Sequence, residues 1–291
     1  MRKTLSLFLL FAGILAGSAW LAADEGQWLP EQLRGLDWAN LEARGLELGP
    51  DELWDGEKGL LTAAVQINGC SASFVSPDGL ILTNHHCGFD AISELSTVET
   101  NLLESGFVAG RREDELHAPG YRISFVRGYE DVTEEIHAAA EVAGKDPASR
   151  WKAVEARRAE LAAEARTDHT DAIVVPYFHG REWRRIHRTV LRDVRLVYAP
   201  PRAIGEYGGD VDNWEWPRHT GDFSAFRAYV SPEGLPASFS EDNIPFNPPR
   251  HLSVSEEGVE EGDLVLLMGY PGRTTRYLTS VAVAANESWT F

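Results

Sequence analysis

Cysteine is almost absent from this 291-residue chain, with only two present. A disulfide-rich scaffold and a multi-cysteine metal cluster are thereby excluded, and at most one internal bridge can form. Cationic side chains are also scarce, 27 Lys and Arg against 45 Asp and Glu. The resulting net charge of −18 argues against nucleic acid and anionic membrane surfaces as partners. Past the first two dozen residues no apolar run is long enough to span a bilayer, so the mature chain is expected to be soluble. No internal repeat and no low-complexity tract interrupts it. At this length the chain can bury one large core or two modest ones.

What is present begins with a leader. Arg2 and Lys3 precede an apolar run over residues 5–16 and then small residues, which reads as a secretory signal peptide over residues 1–22. A membrane anchor would need about 20 apolar residues with firm polar flanks. The expected destination is therefore outside the cytoplasm, periplasmic or secreted. Export places Cys70 and Cys87 in an oxidising compartment, and a disulfide between them is predicted. Closing a loop of that size stabilises by about 3 kcal/mol in the chain-entropy model. The alternative is a metal site built from Cys70, His85, His86 and Cys87. It is disfavoured because adjacent side chains on an extended strand point to opposite faces.

Residues 28–48 carry Leu and Trp at helix-like spacing and predict one or two short helices. From residue 60 the pattern becomes β-rich, with short runs at 61–68, 72–76 and 80–84. Ser76-Pro77-Asp78-Gly79 is a turn signature between the last two, so a hairpin is predicted whose second strand ends at the histidines. A further strand is predicted at 121–126. Residues 133–167 then read as a solvated helical excursion, capped by Thr133 and broken in two around Gly144 and Pro147. Strand-like segments resume at 172–178, 183–199, 223–230 and 264–268, and a helix is predicted from about Thr279. Short strands with turn punctuation indicate a barrel or sandwich.

The segment that carries chemistry runs from Cys70-Ser-Ala-Ser-Phe-Val to Thr83-Asn84-His85-His86-Cys87. A histidine beside a cysteine at a strand end suits the general base of a serine protease, which needs a carboxylate to orient it. Gly221-Asp222-Phe223-Ser224, entering a strand, supplies that carboxylate better than Asp210 or Asp212. Together with Asp24-Glu-Gly-Gln-Trp-Leu-Pro, Asp210-Val-Asp-Asn-Trp-Glu-Trp-Pro-Arg-His and Met268-Gly-Tyr-Pro-Gly-Arg-Thr, these segments closely resemble the S46 peptidases. That family comprises bacterial dipeptidyl-peptidases of the DPP7 and DPP11 type.

The resemblance covers the whole mature chain and carries several implications. It implies a mainly β fold, a chymotrypsin-like double β-barrel interrupted by a large inserted helical domain. Residues 23–276 would be the N-terminal part of the catalytic domain, with 133–167 as an excursion, and residues 277–291 the start of the helical domain. His86 would be the general base, Asp222 its orienting acid, and Asn213 and Trp214 the holders of the substrate's free α-amino group. The implied substrates are oligopeptides with a free N-terminus, with no cofactor and no metal. A homodimer is compatible with a full-length parent. The family's serine sits in a late Gly-Asn-Ser-Gly-Ser-like segment, and this sequence contains no Gly-x-Ser-Gly. The chain is therefore read as a fragment, inactive by itself. A truncated protein that binds peptide N-termini without cleaving them is the alternative.

Overall fold

The computed structural model describes residues 28–56, 58–212, 217–272 and 278–284, the side chains of Asp210 and Asp212 apart. The chain divides into two units at Leu36. Of the first, the described part is a short 3-10 helix, Pro30–Gly35. The second holds everything else.

Its centre is an antiparallel sheet. The strands are β1 (Ala64–Ile67), β2 (Cys70–Phe74), β3 (Leu80–Thr83), β4 (Phe107–Val108), β5 (Leu116–His117), β6 (Ile123–Asp131), β7 (Asp171–Tyr177), β8 (Glu182–Leu191), β9 (Asp193–Ala199), β10 (Ser224–Val230) and β11 (Ile244–Pro245). The order across the sheet is β4-β9-β10-β3-β2-β1-β6-β8-β7, with β5 added beside β9 and β11 beside β10. The mainly β expectation is met. The Ser76–Gly79 turn joins β2 to β3 as the sequence predicts, with Gly79 at φ +69°, where a Cβ would also meet the Phe246 carbonyl at 2.7 Å. Phe74, Ile81, Ile123, Phe125, Leu191, Leu196 and Phe226 are almost completely buried in one shared core. Burying each such side chain is worth about 1.5–3 kcal/mol.

Helices fill the connections. They are α1 (Trp38–Ala43), α2 (Pro50–Leu53), α3 (His85–Leu95), α4 (Leu102–Ser105), α5 (Thr133–Val142), α6 (Pro147–Glu164), α7 (Arg202–Gly205) and α8 (Gly209–Asp212). Helices α5 and α6 lie on either side of the Gly144–Pro147 break. Through Ile136, Leu161 and Ala162 they make a second, small core with Val132, Val174 and Trp183. Residues 280–284 are helical, and Thr279 Oγ1 accepts from Ala282 N at 3.2 Å as its cap. No described helix is long and apolar enough to cross a membrane.

Three expectations are corrected. The histidines do not end a strand, because β3 stops at Thr83 and His85 opens α3. The buried positions His85, Gly88, Ala91 and Ile92 fall on one helical stripe. Thr133 is the first helical residue of α5, not its cap, and its N–H is accepted by Asp131 Oδ1 at 2.9 Å. Residues 264–268 are not a strand. No described strand pairs with them, Leu267 is wholly exposed, and β-propensity without a partner makes no sheet.

Candidate active site

Strand pairing builds the site. Thr83 on β3 stands opposite Ser224 on β10. The residues just beyond that rung, Asn84 to His86 on one chain segment and Asp222 on the other, consequently meet at one end of the ladder. Ser224 Oγ donates to the Asn84 carbonyl at 2.9 Å and fixes the junction. Helix α3 then sits close on β10, since a Cβ on Gly88 would lie 2.9 Å from Ser224 Oγ and 3.0 Å from the Phe226 ring. Only glycine allows that approach.

His86 and Asp222, both singled out from sequence, are in contact. Asp222 Oδ2 lies 2.8 Å from His86 Nδ1, and Asp222 Oδ1 accepts the His86 backbone N–H at 3.0 Å. A carboxylate accepts and does not donate, so Nδ1 carries the ring proton and Nε2 keeps its lone pair. The imidazole is about half exposed and the carboxylate mostly covered, 53% against 19%. The imidazole thus keeps an open face while the carboxylate beside it is shielded. The same carboxylate also caps α3, satisfying one of the N–H groups a helix start leaves over.

Two further ties hold the first turn of α3. Cys87 is bonded to Cys70 at the start of β2, as predicted. Ligand atoms of Cys70, His86 and Cys87 lie within 4.8 Å of one another, but the sulfurs are already joined. Tyr121 OH donates to the Cys87 carbonyl at 3.0 Å and accepts from Ala91 N at 3.2 Å. It thus bridges the two backbone groups that helical i to i+4 register pairs with each other.

His85 has a different environment. It is fully buried, and neither ring nitrogen has a hydrogen-bond partner among the described residues. Its ring lies against Gly205 of α7, where a Cβ would come within 2.5 Å. Burial pushes its pKa below the ordinary 6.5, partly offset by Glu206 and Asp222 and reinforced by His86 and Arg202. The unfolded chain therefore binds a proton here that the folded chain refuses, and this contribution to stability is present above pH 6.5 and lost as pH falls below it. The urea midpoint is expected to fall between pH 7 and 5, with a shallower slope in His85→Phe. Equal slopes in the two proteins would contradict this.

Sequence reasoning missed Asn84, Tyr121 and Gly205, and did not place His85 in the core. The one local signal was Asn84, a favoured helix-capping residue directly before α3. Asn213, Trp214 and the leader over residues 1–22 lie outside the described residues. Of the Met268-Gly-Tyr-Pro-Gly segment, Tyr270 N donates to Ser71 Oγ at 2.7 Å, next to the disulfide.

Known proteins share this arrangement of sequence and fold. The profile of the family Peptidase S46 matches residues 23–291. An Asp/Glu-specific dipeptidyl-peptidase of Shewanella putrefaciens is 39% identical over 97% of this chain and 38% of its own length. A dipeptidyl-peptidase 7 of Phocaeicola vulgatus is 40% identical over 90% of this chain and 37% of its own. The crystal structure of Porphyromonas endodontalis DPP11 superposes with a TM-score of 0.75 at 37% identity, covering 83% of this chain and 37% of that one. The same protein has been solved in complex with the dipeptide Arg-Glu, with a TM-score of 0.72. The chain thus spans about two-fifths of the length of these relatives. Matched over its whole length beyond residue 22, it belongs to the peptidase S46 family.

Proposed function

We propose that this chain is the N-terminal portion of a serine-type dipeptidyl aminopeptidase that releases dipeptides from the free N-termini of oligopeptides. The observation that carries the reading is the two-point grip of Asp222 on His86, 2.8 Å to Nδ1 and 3.0 Å to the backbone N–H. In the proposed reaction His86 Nε2 takes the proton of a serine hydroxyl supplied from outside these 291 residues. Nucleophilic attack then forms the acyl-enzyme, and the imidazolium returns the proton to the leaving amine. Asp222 holds the tautomer throughout and stabilises the imidazolium.

Asn213 and Trp214 are assigned to the substrate's α-amino group, which would confine cleavage to free N-termini. The antiparallel sheet around one core is assigned as the first barrel of a double-barrel catalytic domain. Residues 277–291 would begin the inserted helical domain. Residues 1–22 would direct the protein out of the cytoplasm, to the periplasm or beyond, and the parent can form a homodimer. The Asp/Glu-specific relative and the dipeptidyl-peptidase 7 are almost equally similar, at 39% and 40% identity, so overall likeness does not select the second substrate residue.

His86→Ala in the full-length parent is expected to lower kcat by about 10⁴-fold or more on dipeptidyl chromogenic substrates. Substrates with a blocked N-terminus should resist even the unaltered enzyme. Near-normal activity of the variant would overturn the assignment. Binding of peptide N-termini without turnover by the 291-residue protein, in the absence of a longer, active product, would favour the truncated, non-catalytic peptide-binding protein instead.

A further inference from the structure

Asn84 occupies the N-cap position of α3, with φ −70° and ψ 153°, yet its side chain makes no capping bond. An asparagine there ordinarily turns its side-chain oxygen onto the N–H of the second or third helical residue. In this protein the acceptor for the second residue, His86, is Asp222 Oδ1, reached from 136 positions away. The Asn84 side chain is turned the other way. Its Nδ2 lies 3.1 Å from Asp222 Oδ2 and 3.2 Å from the Asp222 main-chain carbonyl. Both of those atoms are acceptors, so the NH2 end of the amide must face them.

The two hydrogens of one amide therefore chelate the side-chain and main-chain oxygens of a single residue. Such a chelate closes a ring through the Asp222 Cα–Cβ bond and restricts rotation about it. From the described residues the carboxylate accepts three hydrogen bonds, one on Oδ1 and two on Oδ2. Without Asn84 the two bonds to His86 could follow the imidazole as it moves. With it, the carboxylate is referenced to its own backbone. The donor is itself anchored, since Ser224 Oγ holds the Asn84 carbonyl at 2.9 Å.

We propose that Asn84 is the positioning residue of the site, exchanging its ordinary helix-capping role for a clamp that fixes the Asp222 carboxylate against His86. The proposal rests on His86 and Asp222 acting as base and orienting acid, and deepens that reading by one residue. Other charged groups near this junction are Arg202 and Glu206, which act on neighbouring His85 and are paired with each other at 2.7 Å. They are common to all the variants below and cancel in the comparison.

Asn84→Asp is the sharpest test. It replaces the NH2 by oxygen against two acceptors and sets a second carboxylate about 3 Å from the first, an arrangement that favours protonation nearby. In the 291-residue chain, labelled with ¹³C-histidine, the His86 titration midpoint followed by NMR should rise by about one unit or more. Asn84→Ala should instead broaden or remove the hydrogen-bonded Nδ1–H signal of His86 while the other amide resonances stay in place. In the full-length parent, Asn84→Ala should lower kcat about tenfold with KM unchanged, and Asn84→Asp should displace the acid limb of the pH profile upward. Loss of fold alone would reduce the active fraction without moving that profile.

An unchanged His86 midpoint in Asn84→Asp, or an unchanged Nδ1–H signal in Asn84→Ala should Asn84→Asp not fold, overturns the proposal. If the NMR changes appear while the unaltered parent proves inactive, the clamp stands and the peptidase reading falls.

Discussion

Asp222→Asn in the full-length parent should lower kcat by about 10³–10⁴-fold with little change in KM. The expectation follows from counting donors. Asp222 presents two oxygens to three N–H groups, those of Asn84 Nδ2, His86 Nδ1 and the His86 backbone. An asparagine keeps one oxygen and replaces the other with a donor. If its NH2 faces the His86 backbone, two donors oppose each other and the helix loses its cap, at a cost of about 1 kcal/mol. If its NH2 faces the ring, Nδ1 must become the acceptor and the proton moves to Nε2. The imidazole then offers the nucleophile an N–H where a lone pair is required. Steady-state kinetics of the purified variant, with its disulfide confirmed, decide the matter. A fall of less than tenfold would remove Asp222 from the proposed mechanism.

The second large effect concerns stability. Asp193 is fully buried and accepts from Arg195 Nε at 3.0 Å, Arg195 Nη2 at 2.8 Å and Asn243 Nδ2 at 2.9 Å. The Arg195 guanidinium lies 3.8 Å over the Tyr229 ring, and Tyr229 OH donates to the almost buried Glu115. Burial, and then the bond to Glu115, hold the Tyr229 pKa well above its ordinary value. Asp193→Ala leaves a buried cation with the Ser240 carbonyl and the faces of the Tyr229 and Phe239 rings as its remaining described contacts. Breaking such a pair from one side costs about 3–5 kcal/mol, a large part of the 5–15 kcal/mol that domains commonly possess. Chemical denaturation at neutral pH should register that loss, with Asp193→Asn milder because one acceptor survives. The exposed pair of Arg112 and Asp78, at 2.6 Å, is shorter than either Arg195 contact. Its removal should cost no more than about 1 kcal/mol, because water replaces it. Equal effects at the two sites would refute this account.

These two groups differ in how far the sequence exposes them. His86 and Asp222 could be singled out because each stands in a distinctive local string, and the structure brings them into contact. The bridge between Cys70 and Cys87 follows from there being no other cysteine. The Ser76–Gly79 turn and the break at Gly144–Pro147 announce themselves through residues with restricted backbone conformations. Asp193 and Arg195 carry no such mark, since an i, i+2 charged pair on a strand reads as a solvated face. Their burial is imposed by Tyr229, Phe239 and Asn243 from 34 or more positions downstream. The start of α3 was misread for a related reason, its first-turn acceptor being Asp222 rather than the adjacent Asn84. Residues 264–268 fail in the opposite direction. Their composition favours a strand, but a strand is a relation between two segments, and no described second segment is there.

The long reach from Asp222 to His86 also sets an order of assembly. The hairpin of β2 and β3 closes over a few residues, and the disulfide spans only 17 positions. The far edge of β3, by contrast, has β10 as its partner, and α3 has residue 222 as its cap. Emerging from its N-terminus, the chain presents residue 86 well before residue 222. Throughout that interval β3 offers an open row of backbone donors and acceptors, the usual template for mispairing with other chains. The arrival of residues 222–227 closes the edge, caps the helix and sets the imidazole together. Closure of the β3 edge and fixing of the His86 ring are, in this protein, the same event.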